Sequence, residues 1–307
     1  MKYVNIFIII LLSSLLLAAD GCLVSSDQGK VVGRGIKLEL DPDGELPSTV
    51  YESNPFTIKA RVSNYGLSPI EGYLCLSDTP SESYGGIRAN DCQPVNLDQA
   101  LQSEGDVKPS QMEFFFPSGG AYSYENLPSQ LSQGLTMDTQ ISAEFSYVTK
   151  TIALSKICLK AFNSVSKDCT NKETITSIQQ AQMPIEVTKI EKAVAVSKDN
   201  QAMIGLTVYI KQVEEGYIID RSLNSGKTQI SPTAKLTVTL GNVVLSCTPV
   251  EHGDIIRFTT GNEKMIQCTA KEQLSQDLIN EPLIITIEYG FKKTARLNPI
   301  QLIKEVI

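Results

Sequence analysis

The chain has 307 residues, of which 42% are apolar and 7% aromatic, enough to bury the cores of two ordinary domains and to exclude wholesale disorder. It carries 27 Lys and Arg against 34 Asp and Glu, a formal charge of −7 with no basic stripe. That is a poor match to nucleic acid, whose affinity rests on phosphate contacts. One His and no Trp exclude multi-His metal sites and leave little for imidazole-based catalysis.

At the front, Lys2 precedes an apolar run from Ile6 to Ala19 that only Ser13 and Ser14 interrupt. The run is short for a membrane-spanning helix, which needs about 20 residues, and has the size of a signal-peptide core. It ends in Ala19-Asp20-Gly21-Cys22, which resembles a lipobox, the motif of secreted lipoproteins that are cleaved before a Cys and lipidated on its sulfur. Gly21 fits that motif, while Asp20 stands where a small neutral residue is usual. Three readings of residues 1–21 stay open: a cleaved signal with lipid on Cys22, an uncleaved anchor, and ordinary cleavage that leaves Cys22 free. All three send residue 23 onward across a membrane. Residues 22–34, with Ser25, Ser26, Asp27, Gln28 and Gly29, read as a flexible tether.

The remaining chain is dominated by two-residue alternation, which puts one apolar face inward on a strand. Asp41-Pro42-Asp43-Gly44-Glu45 looks like a fragment of a calcium loop. It stops well short of the six to eight oxygens that calcium takes, and reads as a turn closing a strand. Ile58, Ala60 and Val62 alternate with polar residues, and Asn64-Tyr65-Gly66 ends that run. Residues 78–91, with Gly85-Gly86, are expected as a loop insertion, and a short helical stretch is expected near Leu97–Ser103. Glu104 with Asp106 reads as a solvated acid pair. In Phe114-Phe115-Phe116, one ring of three consecutive strand residues must face away from the other two. If both faces of the strand are covered, all three rings are core; if one face is open, Phe115 is a candidate for partner binding. Tyr122 and Tyr124 join it, since they lie among Gly and Ser in a second expected insertion, 117–135, whose composition is that of adaptable recognition loops and equally that of a disordered surface loop.

A polar, Pro-terminated stretch, Ser177–Pro184, marks a boundary between residues 35–180 and 185–307. Beyond it, Ile204 to Ile210, Leu236 to Leu240 and Leu283 to Tyr289 alternate again. Glu214-Glu215 reads as another pair of solvated acids, and His252 as a solvent-exposed loop residue. Gly261-Asn262 is a turn signal, and a second short helix is expected near Lys271–Ile279.

Six cysteines remain once Cys22 is set aside: Cys75 with Cys92, Cys158 with Cys169, and Cys247 with Cys268. Local pairing is favoured because each pair brackets one hairpin or strand-loop, and each such bond is worth on the order of 3 kcal/mol. Disulfides fit an oxidising, extracytoplasmic setting. The chain has no Asn-x-Ser/Thr sequon.

Many short strands punctuated by turns predict an all-β fold of two immunoglobulin-like antiparallel sandwiches. The string Tyr51-Glu52-Ser53-Asn54-Pro55-Phe56, the strand to Val62, and Ser63-Asn64-Tyr65-Gly66 before Gly72–Leu76 are similar to the opening of adhesion-type immunoglobulin-like modules of prokaryotic surface proteins. The lipobox-like start, the Cys-bearing strand Thr149–Lys160 and the late strand Leu283–Phe291 also resemble archaeal surface proteins. The resemblance implies a cell-surface β-sandwich protein and carries no active-site residue. No G-x-S-x-G or H-E-x-x-H motif occurs. The expectation is a membrane-anchored, extracytoplasmic protein without catalytic activity, cofactor or metal, which binds a protein or envelope partner and no nucleic acid. Two rival expectations are a structural subunit of an envelope layer or filament, and an extracytoplasmic carbohydrate-active hydrolase.

Overall fold

In a computed structural model the described residues are 35–80, 82–87, 91–103, 106–165, 167, 169–223, 230–258 and 263–304. The expectations for the signal, the tether, Cys22, Glu104 and Gly261-Asn262 lie outside them. The described part belongs to one compact unit, Val32–Ile307, and is all-β. Its helical content among the described residues is two short 3-10 turns, Glu82–Tyr84 and Ser129–Gln133.

Two long strands organise the fold. Ile141–Lys160 and Leu278–Arg296 pair antiparallel without a break from Ser142↔Arg296 to Lys160↔Leu278. They form the centre of a nine-stranded sheet that Ile70–Asp78 and Asp91–Leu97 extend on one side and Thr233–Leu240 and Val243–Val244 on the other. A three-stranded sheet places Ile58–Asn64 between Ile36–Leu40 and Ser110–Phe116. A five-stranded sheet runs Lys172–Ile175, Ile185–Val196, Gln201–Gln212, Lys264–Gln273, Ser246–Thr248. A third small sheet holds Thr49–Tyr51 parallel to Ile300–Ile303, which also pairs with Met137–Thr139.

Alternation sets the core. Ile58, Ala60, Val62, Ile204, Leu206, Val208, Ile210, Leu236, Val238, Leu240, Leu283, Ile285, Ile287 and Tyr289 are all buried, so every two-residue pattern read from the sequence turns its apolar face inward. At the centre Phe145 stacks on Tyr147 with ring centroids 4.8 Å apart, and Phe291 lies 6.0 Å from Tyr147. The polar groups that remain inside are mostly satisfied, as burial requires. Thr151 donates to the Ile185 carbonyl (2.6 Å), and the Ile185 amide donates to the Tyr289 hydroxyl (3.3 Å). The segment that follows the polar stretch 177–184 is thereby tied to both long strands.

In Ile185–Val196 the register shifts between Val187 and Lys189. The extra residue reverses the inward set from Ile185 and Val187 to Ile190 and Lys192. Lys192 is therefore buried. Its Nζ lies 2.6 Å from Glu173 Oε1 and donates to the Cys158 carbonyl at 2.7 Å.

The six described cysteines form three disulfides, Cys75–Cys92, Cys158–Cys169 and Cys247–Cys268, with sequence separations of 17, 11 and 21. Two of them join residues directly opposite one another on paired strands. The third fastens the end of Ile141–Lys160 to the loop that follows. Such bonds point towards an oxidising, extracytoplasmic compartment. Among the described residues no helix is long and apolar enough to cross a membrane.

Both helical expectations are corrected. Leu97 ends a strand and Leu101–Ser103 is one arm of a small hairpin with Asp106–Lys108, while residues 271–273 complete Lys264–Gln273 and Ile279 lies within Leu278–Arg296. Their helical spacing yields to pairing: ten residues of Lys264–Gln273 are in register with Gln201–Gln212.

Candidate functional site

The site is built on the outward face of the three-stranded sheet. Strand parity divides the Phe triplet as expected: Phe114 and Phe116 are buried, and Phe115 is 56% exposed. Register brings Phe115 opposite Lys59, and Glu113 opposite Arg61. Lys59 Nζ lies 2.5 Å from Asp43, 3.0 Å from Glu113 and 5.8 Å from the Phe115 ring centre. Arg61 closes the network on Glu113 at 2.6 Å. The hydrogen bond from Lys59 holds the Asp43 carboxyl below its usual range, and those from Arg61 and Lys59 do the same for Glu113. Exposed pairs of this kind add little stability, but they leave both cations neutralised.

Beside this network lies an open groove of about 330 Å³. Phe115 and Lys59 form one wall; Glu45, Pro47, Tyr51 and Asn54 stand around the rest. Tyr51 is 44% exposed, so a second aromatic residue of the lining is accessible. The Asp41 turn shapes one end. Asp41 Oδ1 accepts the Glu45 amide (2.9 Å) and Oδ2 the Leu46 amide (3.1 Å). Both carboxylate oxygens are thus committed to closing the turn, and Asp43 is committed to Lys59. This is the strand-closing turn anticipated from the sequence.

The groove is backed by Phe56, which is buried. Phe56 and Tyr122 exchange two backbone hydrogen bonds of 2.9 Å. The Phe56 ring stacks on Tyr124, centroids 5.3 Å apart and planes within 15°, and sits 5.7 Å from Tyr122. Tyr124 donates to Asp78 Oδ2 at 2.7 Å, and Tyr122 donates to Asp91. Burial pushes both phenols well above their ordinary pKa, and burial also raises Asp78, which accepts the Ile87 amide as well.

The three candidate binding aromatics therefore separate. Phe115 is displayed. Tyr122 and Tyr124 are not surface residues: they are 7% and 0% exposed, and their hydroxyls are spent on Asp91 and Asp78. Their Gly- and Ser-rich surroundings mimic a recognition loop, but the rings anchor that loop beneath the groove. Sequence reasoning missed Tyr51 and Phe56 as parts of the site; Tyr51 ends a strand of only three residues and Phe56 follows outside any named strand, so no periodicity shows which way they point.

The other singled-out residues lie elsewhere. His252 is exposed in the turn that precedes Ile255–Arg257. Glu214 departs from the solvated acid expected: it turns inward to Lys293 (3.2 Å), whose Nζ also donates to the Ile36 carbonyl (2.6 Å). Burial raises the Glu214 carboxyl against the opposing charge of Lys293. Neighbouring Glu215 stays exposed.

No protein-family model matches this chain, and no curated protein is similar to it.

Proposed function

We propose that this is a membrane-anchored, extracytoplasmic binding protein without catalytic activity. Its immunoglobulin-like sandwich modules, residues 35–180 and 185–307, are held off the bilayer by the tether 22–34, with lipid on Cys22. Three features support the reading. The disulfides fit an oxidising compartment. The sheet of Ile36–Leu40, Ile58–Asn64 and Ser110–Phe116 comes wholly from the first module and all but one strand of the five-stranded sheet from the second, while the nine-stranded sheet joins strands of both. The N-terminal motif and the strand pattern resemble those of prokaryotic surface proteins.

The observation that carries the binding role is the pair of exposed aromatic residues, Phe115 and Tyr51, that line one open groove, Phe115 on a strand whose other aromatics are core. The test is hydroxyl-radical footprinting of Phe115 and Tyr51. Full-length protein in its native envelope should show both rings less oxidised than the same protein purified in detergent. Equal oxidation in the two states would remove the groove from any binding role.

A second reading, a subunit of an envelope layer, is favoured by one observation. Leu154 and Ile284 are partly exposed, face each other in register, and are followed across the sheet by Thr239 and Val244. Sedimentation at micromolar concentration, comparing wild type with Leu154→Glu, tests it: self-association lost in the variant supports the subunit.

A further inference from the structure

We propose that the groove takes a neutral saccharide, held by stacking on Phe115 with polar contacts from the turn residues. This rests on the binding role given to the groove above, and it follows from what the lining can and cannot recognise.

Charge is removed first. Lys59 and Arg61 are the groove's neighbouring cations, and Asp43 and Glu113 already neutralise them at 2.5–3.0 Å. With a formal chain charge of −7, an anionic ligand meets repulsion without a free partner. A metal ion is disfavoured by the same accounting on the acidic side, because the Asp41 oxygens close their own turn and Asp43 holds Lys59.

Size comes next. About 330 Å³ is at the small end of ligand pockets, room for roughly one or two rings and not for a folded partner's epitope. An acyl chain is disfavoured by the lining, in which Asn54, Thr49, Thr57 and Glu45 interrupt the apolar groups.

What remains is a ligand with one apolar face and a rim of hydroxyls. A pyranose has that shape: its axial C–H bonds form a flat apolar patch suited to an aromatic face, and its hydroxyls both donate and accept. Phe115 offers the ring. Asn54, Thr49, Thr57 and Glu45 are among the lining residues, and their side chains carry groups of both hydrogen-bonding polarities. The groove is also pre-formed. Its backing ring, Phe56, is fixed by the stack on Tyr124 and by the Tyr122 backbone pair, so little ordering cost falls on binding.

The experiment uses full-length protein in detergent with a panel of soluble neutral oligosaccharides: cello-, manno-, xylo- and chito-oligosaccharides. Calorimetry should find at least one that binds, and footprinting should show that same sugar shielding Phe115 and Tyr51. Phe115→Ala should weaken binding about tenfold or more, and Phe115→Trp should retain it. Phe115 is exposed, so the unfolding midpoint of Phe115→Ala should match wild type, which separates lost contact from lost fold. Suppose Phe115 is shielded in the native envelope, no oligosaccharide protects it, and periodate oxidation of the envelope leaves the shielding intact. The groove then binds something other than saccharide, and the inference fails while the binding role stands. If Phe115 is unshielded in every setting, both fail together.

Discussion

Replacing Lys192 by Met should expose how much one buried cation contributes to the second half of the chain. The Lys192 side chain is 0% exposed, its Nζ bridges Glu173 and the Cys158 carbonyl, and Glu173 is 35% exposed. Met fills nearly the same volume, so the cavity contribution is small. The loss is electrostatic: Glu173 keeps its desolvation without its partner, and a strand carbonyl loses its donor. Breaking a fully buried pair costs about 3–5 kcal/mol, and the partial hydration of Glu173 puts this one at the low end, roughly 3 kcal/mol. Adding Glu173→Leu removes the orphaned charge and leaves only the Cys158 carbonyl unmet, so the double variant should recover to a deficit of about 1–2 kcal/mol. Urea unfolding of wild type, both single variants and the double variant gives the coupling directly. A Lys192→Met variant within about 1 kcal/mol of wild type would refute the buried bridge, and so would strict additivity of the two changes.

Stability should also depend on pH through Glu186. Burial, reinforced by the charge of Glu214, raises the Glu186 carboxyl above its ordinary 4.5. An acid whose folded pKa exceeds its unfolded value favours folding below the unfolded value and loses that advantage as pH rises through the folded one. Glu186→Gln should therefore gain on wild type between about pH 4 and pH 7.5 in urea midpoint; a gap that does not change with pH contradicts the burial argument. Gly86 has φ +76°, and a Cβ there would collide with the Tyr124 ring and with Asp78. Gly86→Ala should cost more than about 2 kcal/mol and loosen the support under the groove. Gly120→Ala, at φ +84° with nothing within 4 Å, should cost only the left-handed strain, about 1 kcal/mol, in the same thermal melts. Equal losses at the two glycines would mean that the Tyr124–Asp78 contact does not constrain that loop.

The parts of this fold visible in the sequence are those set by a single strand. Parity set Phe115 on the face opposite Phe114 and Phe116, though not whether that face is open, and alternation alone buried Ile204 to Ile210 and Leu283 to Tyr289. Proximity in sequence paired the cysteines, because two of the bonds join neighbouring strands and the third closes a short loop. What escaped depends on partners far along the chain. The shift at Val187/Lys189 is invisible until Gln201–Gln212 pairs with it, yet it decides that Lys192 is buried. Tyr122 and Tyr124 look like display residues until Asp91 and Asp78 meet their hydroxyls. Glu214 looks solvated until Lys293 arrives from the far end of the chain. The groove itself joins the segment 41–57 to Phe115, and no local pattern spans that interval.

The measurement that bears most directly on export is the intact mass of the protein taken from membranes, recorded with and without reductant. A surface-anchored, disulfide-stapled molecule should lack residues 1–21, carry acyl or isoprenoid mass on Cys22, and gain six hydrogens on reduction of its three bonds. A mass that retains Met1 and shows all seven cysteines as free thiols would contradict both the compartment and the anchor.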